Sequence, residues 1–415
     1  MRIAVFIGSL GLGGTGKAAC CWAGALKQRG HQLNVLSLED GPHRIGLERE
    51  GIAVMVLKTD PAVIADALRG LGPEIIHAHA PGQPHVGDVL GPALARLPRI
   101  PTVQTNIFGR LENRAEDAWT DFRLFISWTS CVQAAQRSFR RLNEEFFRRA
   151  SVAVYPVAPV APPPPDEVQS FRRRHGIRED EVLFGRLSRP EPNKWTDLAL
   201  DAFRLAAQKN RNIRLLLREP PPRISEQLRA SSDADRFVIL PATADPDELL
   251  RTTASLDVVL HTSSMGESFG YGIAEPMSLG KPVVSHSVPW ADQAQIELVR
   301  SGECGWITSS PSSMSAAMLK LAAEPGLRAR MGQAGRRHIL ALADPGTSVS
   351  RLENVFTALL SGRDNPFMRE DLERAKVTAA YLRRHRFGST LPEQVGLRLR
   401  FYRTRFHEFR HAIRG

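Results

Sequence analysis

Along most of its length the chain alternates short aliphatic, β-branched runs with longer segments whose apolar residues recur at helical spacing. A strand, a crossover helix and a second parallel strand is the unit that such a pattern builds, so the alternation predicts an α/β fold with parallel sheets. Arg2 to Ile7 reads as the first strand and Thr15 to Arg29 as the helix after it. Further strands are expected near Gln32 to Ser37, Ala53 to Leu57, Glu74 to Ala78, Thr102 to Gln104 and Ser151 to Tyr155. The run YPVAPVAPPPPDE, Tyr155 to Glu167, interrupts the pattern, and its stiff extended preference suits a connector between domains. The alternation then restarts with strands at Val182 to Leu187, Ile213 to Leu217, Phe237 to Leu240, Leu256 to Thr262 and Pro282 to Ser285, followed by helices to about Ser361. A chain of 415 residues suits two such domains of roughly 200 residues each. Two doubly wound sheets facing each other would leave a cleft at the carboxyl ends of their strands, where ligands bind in such sheets.

Composition narrows the function classes. Charged residues at 24% and hydrophobic residues at 42% set aside disordered and coiled-coil readings. The longest apolar candidate for a membrane span, around Ala150 to Pro165, is broken by prolines. The start, with five glycines from Gly8 to Gly16 and then Lys17, fits a strand and loop better than a secretion signal, so a mature cytoplasmic protein is expected. Cys20, Cys21, Cys131 and Cys304 form no CxxC pair, which agrees with a reducing compartment. Much of the net charge of +11 lies after Val377, where nine arginines stand against Glu393 and Glu408. Together with Phe387, Phe401, Tyr402, Phe406 and Phe409, that tail leaves two readings open, contact with an anionic membrane surface or packing of its aromatics on the protein; no nucleic-acid module accompanies it. Arg137 to Ala150 interleaves aromatics with five arginines, and packing of its aromatic face on the first domain is the favoured reading.

Three strings can carry chemistry. Gly11 to Lys17 (GLGGTGK) follows a strand and opens a helix, so its N–H groups can receive an anion. Gly11, Gly13 and Gly16 satisfy GxGxxG, whereas Ala18 after Lys17 lacks the hydroxyl that a P-loop uses to hold magnesium. In TSSMGESFGYGIAEPMSLGKPVVS, Glu267 precedes a helix that starts at Ser268, Phe269 and Gly270, and Glu275 follows eight residues later, close to two turns. The two carboxylates suit sugar and ribose hydroxyls, and the N–H groups at the helix start suit a diphosphate. In GRLSRPEPNKW, Arg186 and Lys194 leave the end of a strand and offer two cations to the same leaving group. His77, His79 and His85 have no carboxylate or cysteine at ligand-like spacing, so no metal site is expected. Asp245-Pro246-Asp247 reads as a helix start rather than as a metal-binding DxD.

Together these strings resemble the retaining family-4 glycosyltransferases of the glycosyl transferases group 1, which have the GT-B fold, and Glu267 to Glu275 matches their E-x7-E motif. The resemblance runs to about Ser361. It implies two Rossmann-like domains facing across a cleft: an acceptor-side domain over 1–160, a nucleotide-sugar domain over 161–362, and a basic helical tail over 363–415. It also implies that Glu267 holds donor-sugar hydroxyls, Glu275 the ribose, and Arg186 with Lys194 the diphosphate of a UDP- or GDP-sugar, with no cofactor. Gly13 and Gly14 match the loop near the donor phosphates, and His79 in HAHAP matches a histidine lining the cleft. Asn106 stands where many members carry a histidine; it cannot act as a general base but can bond a sugar hydroxyl. Arg218-Glu219-Pro220 and Pro241-Ala242 replace glycines usual after the second and third strands of the second domain. The resulting expectation is sugar transfer with retention, from a nucleoside diphosphate sugar to an acceptor hydroxyl of unspecified identity, on a peripheral or soluble cytoplasmic enzyme. Two alternatives remain open on the residues: a nicotinamide-dependent oxidoreductase using GxGxxG, and a non-catalytic docking protein on a transferase scaffold.

Overall fold

Two parallel sheets organise the chain, seen in a computed structural model that describes residues 1–80, 86–111, 118–138, 140–385, 387, 395–399 and 401–402. The first compact unit comprises Met1–Pro156 with Ala343–Ala380, and the second Val157–Leu342 with Tyr381–Gly415.

The first sheet contains β1 (Arg2–Ser9), β2 (Gln32–Glu39), β3 (Ala53–Val56), β4 (Ile75–Ala80), β5 (Thr102–Asn106), β6 (Phe122–Phe125) and β7 (Ala150–Val152), in the order β3-β2-β1-β4-β5-β6-β7. β1 is buried from Ile3 to Ile7 without alternation, as a parallel strand covered on both faces requires. It pairs with β2 on one side and β4 on the other, so the strand order reverses there, at the position where open α/β sheets bind ligands. The glycine loop leaves the end of β1, and the HAHA segment ends β4 beside it.

Helix Pro345–Leu360 belongs to this first unit, whereas the sequence division at 362 assigns it to the second domain. Its attachment is built from tertiary contacts. Trp22 Nε1 donates to Ser348 Oγ at 2.9 Å, Ser348 Oγ donates to Val154 O at 2.6 Å, and Arg351 Nε donates to Val152 O at 3.0 Å. Arg351 also pairs with fully buried Asp371, which accepts from Ser151 Oγ at 2.7 Å and Asn365 Nδ2 at 2.9 Å. In the Arg137 to Ala150 segment, Phe147 is buried and Phe146 stacks on Phe125 of β6, so these aromatics pack on the unit itself; Phe139 lies outside the described residues.

The second unit contains β8 (Val182–Leu187), β9 (Ile213–Arg218), β10 (Phe237–Leu240), β11 (Val258–His261), β12 (Gly266–Glu267), β13 (Val283–His286), β14 (Asp292–Gln293) and β15 (Gly305–Thr308). Six of them form a sheet in the order β10-β9-β8-β11-β13-β15, and β12 pairs with β14. The order reverses between β8 and β11. Phe184, Phe203, Leu215, Leu217 and Leu260 fill its core, each burial giving about 1.5–3 kcal/mol. Asp245 caps helix Pro246–Ser255 by accepting from Asp247 N at 2.9 Å, which gives the DxD string its structural role.

Candidate functional site

In the second unit, the carboxyl ends of β8, β11 and β13 bring Arg186, His261 and Ser285 near the loop that carries Glu267. Two glycines shape that loop. Gly266 has φ +64°, and a Cβ there would stand 1.7 Å from Asp292 O, so the β12–β14 pairing requires glycine. Gly270 has φ +105°, and its Cβ would press on Glu267 Cγ at 3.2 Å. Gly270 is also the N-cap of helix Tyr271–Ser278 and supplies no capping side chain.

Glu267 is the electrostatic centre. Lys194 Nζ donates to its Oε1 at 2.8 Å, and His261 Nε2 lies 3.0 Å from the same oxygen. Glu267 N donates to Gln295 Oε1 at 3.1 Å, and Gln295 Nε2 donates to His286 O at 3.3 Å, which fixes the backbone beneath the carboxylate. Burial alone would raise the Glu267 pKa, but the His261 bond and the Lys194 ammonium overcome it and hold the carboxyl at about 2. It is therefore an ionised acceptor at neutral pH. Burial lowers the His261 pKa against the pull of the same carboxylate, so the imidazole is neutral.

Lys194 ends a short turn, Pro192–Lys194, tied to the Thr262–Gly266 segment through Asn193 O. That carbonyl accepts from Ser264 N at 3.0 Å, Ser264 Oγ at 3.0 Å and Ser263 Oγ at 3.2 Å. The two strings singled out in the sequence are thus one structure.

Arg186 departs from its expected position. It does not extend from the strand end but is 1% exposed, 4.3 Å over the Trp195 ring. Its Nη2 donates to Thr262 O and Lys194 O, while its Nε and Nη1 are buried without a partner among the described residues. Burial lowers its pKa to about 9. The physical reason is its place inside β8, whose side chains to position 186 are buried, under a tryptophan that covers the guanidinium. Thr262 Oγ1, His286 Nδ1 and both amide atoms of Gln293 are likewise buried without partners among the described residues. Ser268 and Glu275 are half-buried, Phe269 is buried, and Glu275 lies in the middle of helix Tyr271–Ser278.

Gly13, Gly14, His79 and Asn106 belong to the first unit. Gly13 is the N-cap of helix Gly14–Gln28, and a Cβ on it would meet nothing within 4 Å. His79, expected to line a cleft, is fully buried against Trp22 and His77, and neither ring nitrogen has a partner among the described residues. Burial lowers its pKa to about 3. Asn106, expected to meet a sugar hydroxyl, spends both ends of its amide on Arg110: Nδ2 donates to Arg110 O at 2.6 Å and Oδ1 accepts from Arg110 N at 3.1 Å. It is a staple for the turn after β5, because a buried amide must satisfy both of its poles. Among the described residues no three His, Cys, Asp or Glu side chains gather to hold a metal, and no helix is long and apolar enough to cross a membrane. His85 lies outside the described residues.

The sequence reading missed His261, Gln295 and Trp195. His261 carried a visible signal, a histidine ending the apolar run Val258-Val259-Leu260 just before the Glu267 loop.

Comparison with known proteins bears on the fold. The structure superposes on Alr3699/HepE from Anabaena, solved in complex with UDP and glucose, with a TM-score of 0.72 and 19% identity over 86% of this chain and 100% of that one. A glycosyltransferase from Rickettsia africae ESF-5 gives a TM-score of 0.72 and 13% identity over 86% of this chain and 98% of that one. The fold is of the GT-B type. Residues 167–338 match the sequence model of the family described as Glycosyl transferases group 1. EpsD of Bacillus subtilis (strain 168), named a glycosyltransferase, is 25% identical over 227 residues, 53% of each chain. The match therefore spans about half the length of that curated relative.

Proposed function

We propose that this chain is a retaining glycosyltransferase that passes a sugar from a UDP- or GDP-sugar to an acceptor hydroxyl. One observation carries the reading: the Glu267 carboxylate is held ionised by Lys194 and His261 just before a glycine-capped helix start. A carboxylate so placed accepts from donor-sugar hydroxyls, and the helix amides next to it receive phosphate oxygens. Glu275, further along the same helix, serves the ribose. The match of residues 167–338 to the group 1 family and the likeness to HepE, solved with UDP and glucose, support the assignment.

In the reaction the anomeric carbon to phosphate-oxygen bond breaks as the acceptor oxygen approaches the same face, and the acceptor proton passes to the departing phosphate. Lys194, Arg186 and the first amides of helix Tyr271–Ser278 stabilise the negative charge that develops on the diphosphate. The role of Arg186 is electrostatic, exerted from beneath the site through a guanidinium with two unused nitrogens. The arginine-rich tail is the part read as meeting an anionic membrane face on the cytoplasmic side. Val395, Leu399 and Tyr402 are exposed there beside Arg398.

A thermal-shift panel with UDP, GDP, ADP and NAD tests the reading. A ligand at about a hundred times its Kd adds about 2.7 kcal/mol, a visible shift. Stabilisation by UDP or GDP supports the transferase; stabilisation by NAD alone overturns it in favour of the glycine loop.

A further inference from the structure

We infer that His261 is a positioning residue for donor-sugar binding, fixing Oε1 of Glu267 so that Oε2 is left to accept from the sugar hydroxyls. The inference rests on the donor-site reading of Glu267 given above.

The tautomer follows from the partners. An ionised carboxylate can only accept, so the hydrogen in the His261–Glu267 bond, 3.0 Å long, sits on Nε2. A neutral imidazole has one N–H, which leaves Nδ1 as the acceptor for Ser285 Oγ at 3.5 Å. Ser285 is the register partner of His261 across β11 and β13, so the backbone places the hydroxyl where the ring needs it. The relay Ser285–His261–Glu267 has the form in which an outer hydrogen bond fixes both the orientation and the tautomer of a histidine.

Burial is the main cause of the neutral ring, and the cations Arg186 of β8 and Lys194 of the Pro192–Lys194 turn add to it against the opposing pull of Glu267 of β12; His286 of β13, held low by its own burial, is neutral beside it. A proton on His261 would add a third cation to a buried site that holds one carboxylate.

Lys194 and His261 bind the same oxygen but are not equivalent. Lys194 carries three N–H donors on a flexible stem and can serve a phosphate and Glu267 together. His261 is buried at the end of a central strand and has a single donor, so it is the fixed point of the pair.

The test uses the full chain, with Kd values for UDP, UDP-glucose, GDP and GDP-mannose measured by calorimetry on wild type, His261→Leu, His261→Asn and His261→Gln. Loss of one hydrogen bond to a charged group predicts that Leu and Asn weaken the nucleotide sugar about ten- to a hundredfold while the matching free nucleotide changes less than about threefold. Gln, whose longer amide reaches Glu267, recovers most of the loss. In the Leu and Asn variants the acid limit of nucleotide-sugar binding also moves up, because the His261 bond that helps to lower the Glu267 pKa is gone. Equal weakening of nucleotide and nucleotide sugar, or variants that bind the sugar as wild type does, overturns the positioning role and leaves the donor site standing. A wild type that binds none of the four ligands removes the donor site and this inference with it.

Discussion

Replacing His79 with leucine separates the cost of a buried imidazole from any other effect of acid on the first unit. Both ring nitrogens are buried without a partner among the described residues, and burial holds the folded pKa at about 3 against 6.5 unfolded. At pH 7.5 neither state is protonated, and the folded chain carries only the desolvation of the ring, about 1–3 kcal/mol. Because the folded pKa is the lower one, stability is complete above 6.5 and is lost as pH falls toward the folded value, where only the unfolded chain takes the proton. The loss runs at about 1.4 kcal/mol per pH unit and reaches about 2 kcal/mol at pH 5. His79→Leu is expected to match or exceed wild-type stability at pH 7.5 and to lose about 2 kcal/mol less between pH 7.5 and pH 5. His77 is depressed mainly by its burial, which the variant keeps, and in smaller part by His79, so the larger share of the difference belongs to His79. Native-state hydrogen exchange at the β4 amides reads this unit alone. Equal acid sensitivity in the two proteins refutes the reasoning.

Other consequences follow from named contacts. Asn106→Ala removes both bonds to Arg110 and is expected to cost about 1–3 kcal/mol of first-unit stability, with nucleotide affinity unchanged by calorimetry. Asp371→Ala takes from Arg351 its buried partner, leaving the longer ion pair to exposed Glu370 at 3.4 Å, and is expected to cost about 3 kcal/mol, seen as a drop in the urea midpoint. Gly270→Ala places a side chain at φ +105° against Glu267; a backbone cost of about 1–2 kcal/mol and weaker nucleotide-sugar than nucleotide binding are expected.

Much of the fold was legible because parallel strands buried on both faces leave continuous apolar runs; Val182–Leu187 and Phe237–Leu240 were read to the residue. Two strands of the main sheets were not. Phe122–Phe125 has four residues with an arginine among them, and Gly305–Thr308 is an edge strand opening on glycine, so neither offers a run long enough to stand out from helical surroundings. The return of helix Pro345–Leu360 to the first unit was hidden for a different reason. It depends on partners such as Trp22 and Ser348, which lie 326 residues apart, and no local pattern encodes that pairing.

The site divides along the same line. Glu267, Lys194 and Gly270 were legible because a carboxylate, a cation and a glycine-started helix each leave a local trace. The burial of Arg186 was not, since a lone arginine in a strand reads the same whether it faces solvent or lies under Trp195. Asn106 and His79 were singled out through the family resemblance, and their surroundings were not legible: Asn106 bonds the turn after β5 and His79 is fully buried.

The central claim is that Glu267 holds the transferred sugar and not the nucleotide. Its most direct measurement compares wild type with Glu267→Ala for release of nucleoside diphosphate from UDP-glucose or GDP-mannose, alongside the Kd of the free nucleotide. The account predicts turnover reduced by about a hundredfold or more with nucleotide affinity within about threefold. Near-normal turnover in Glu267→Ala would contradict it.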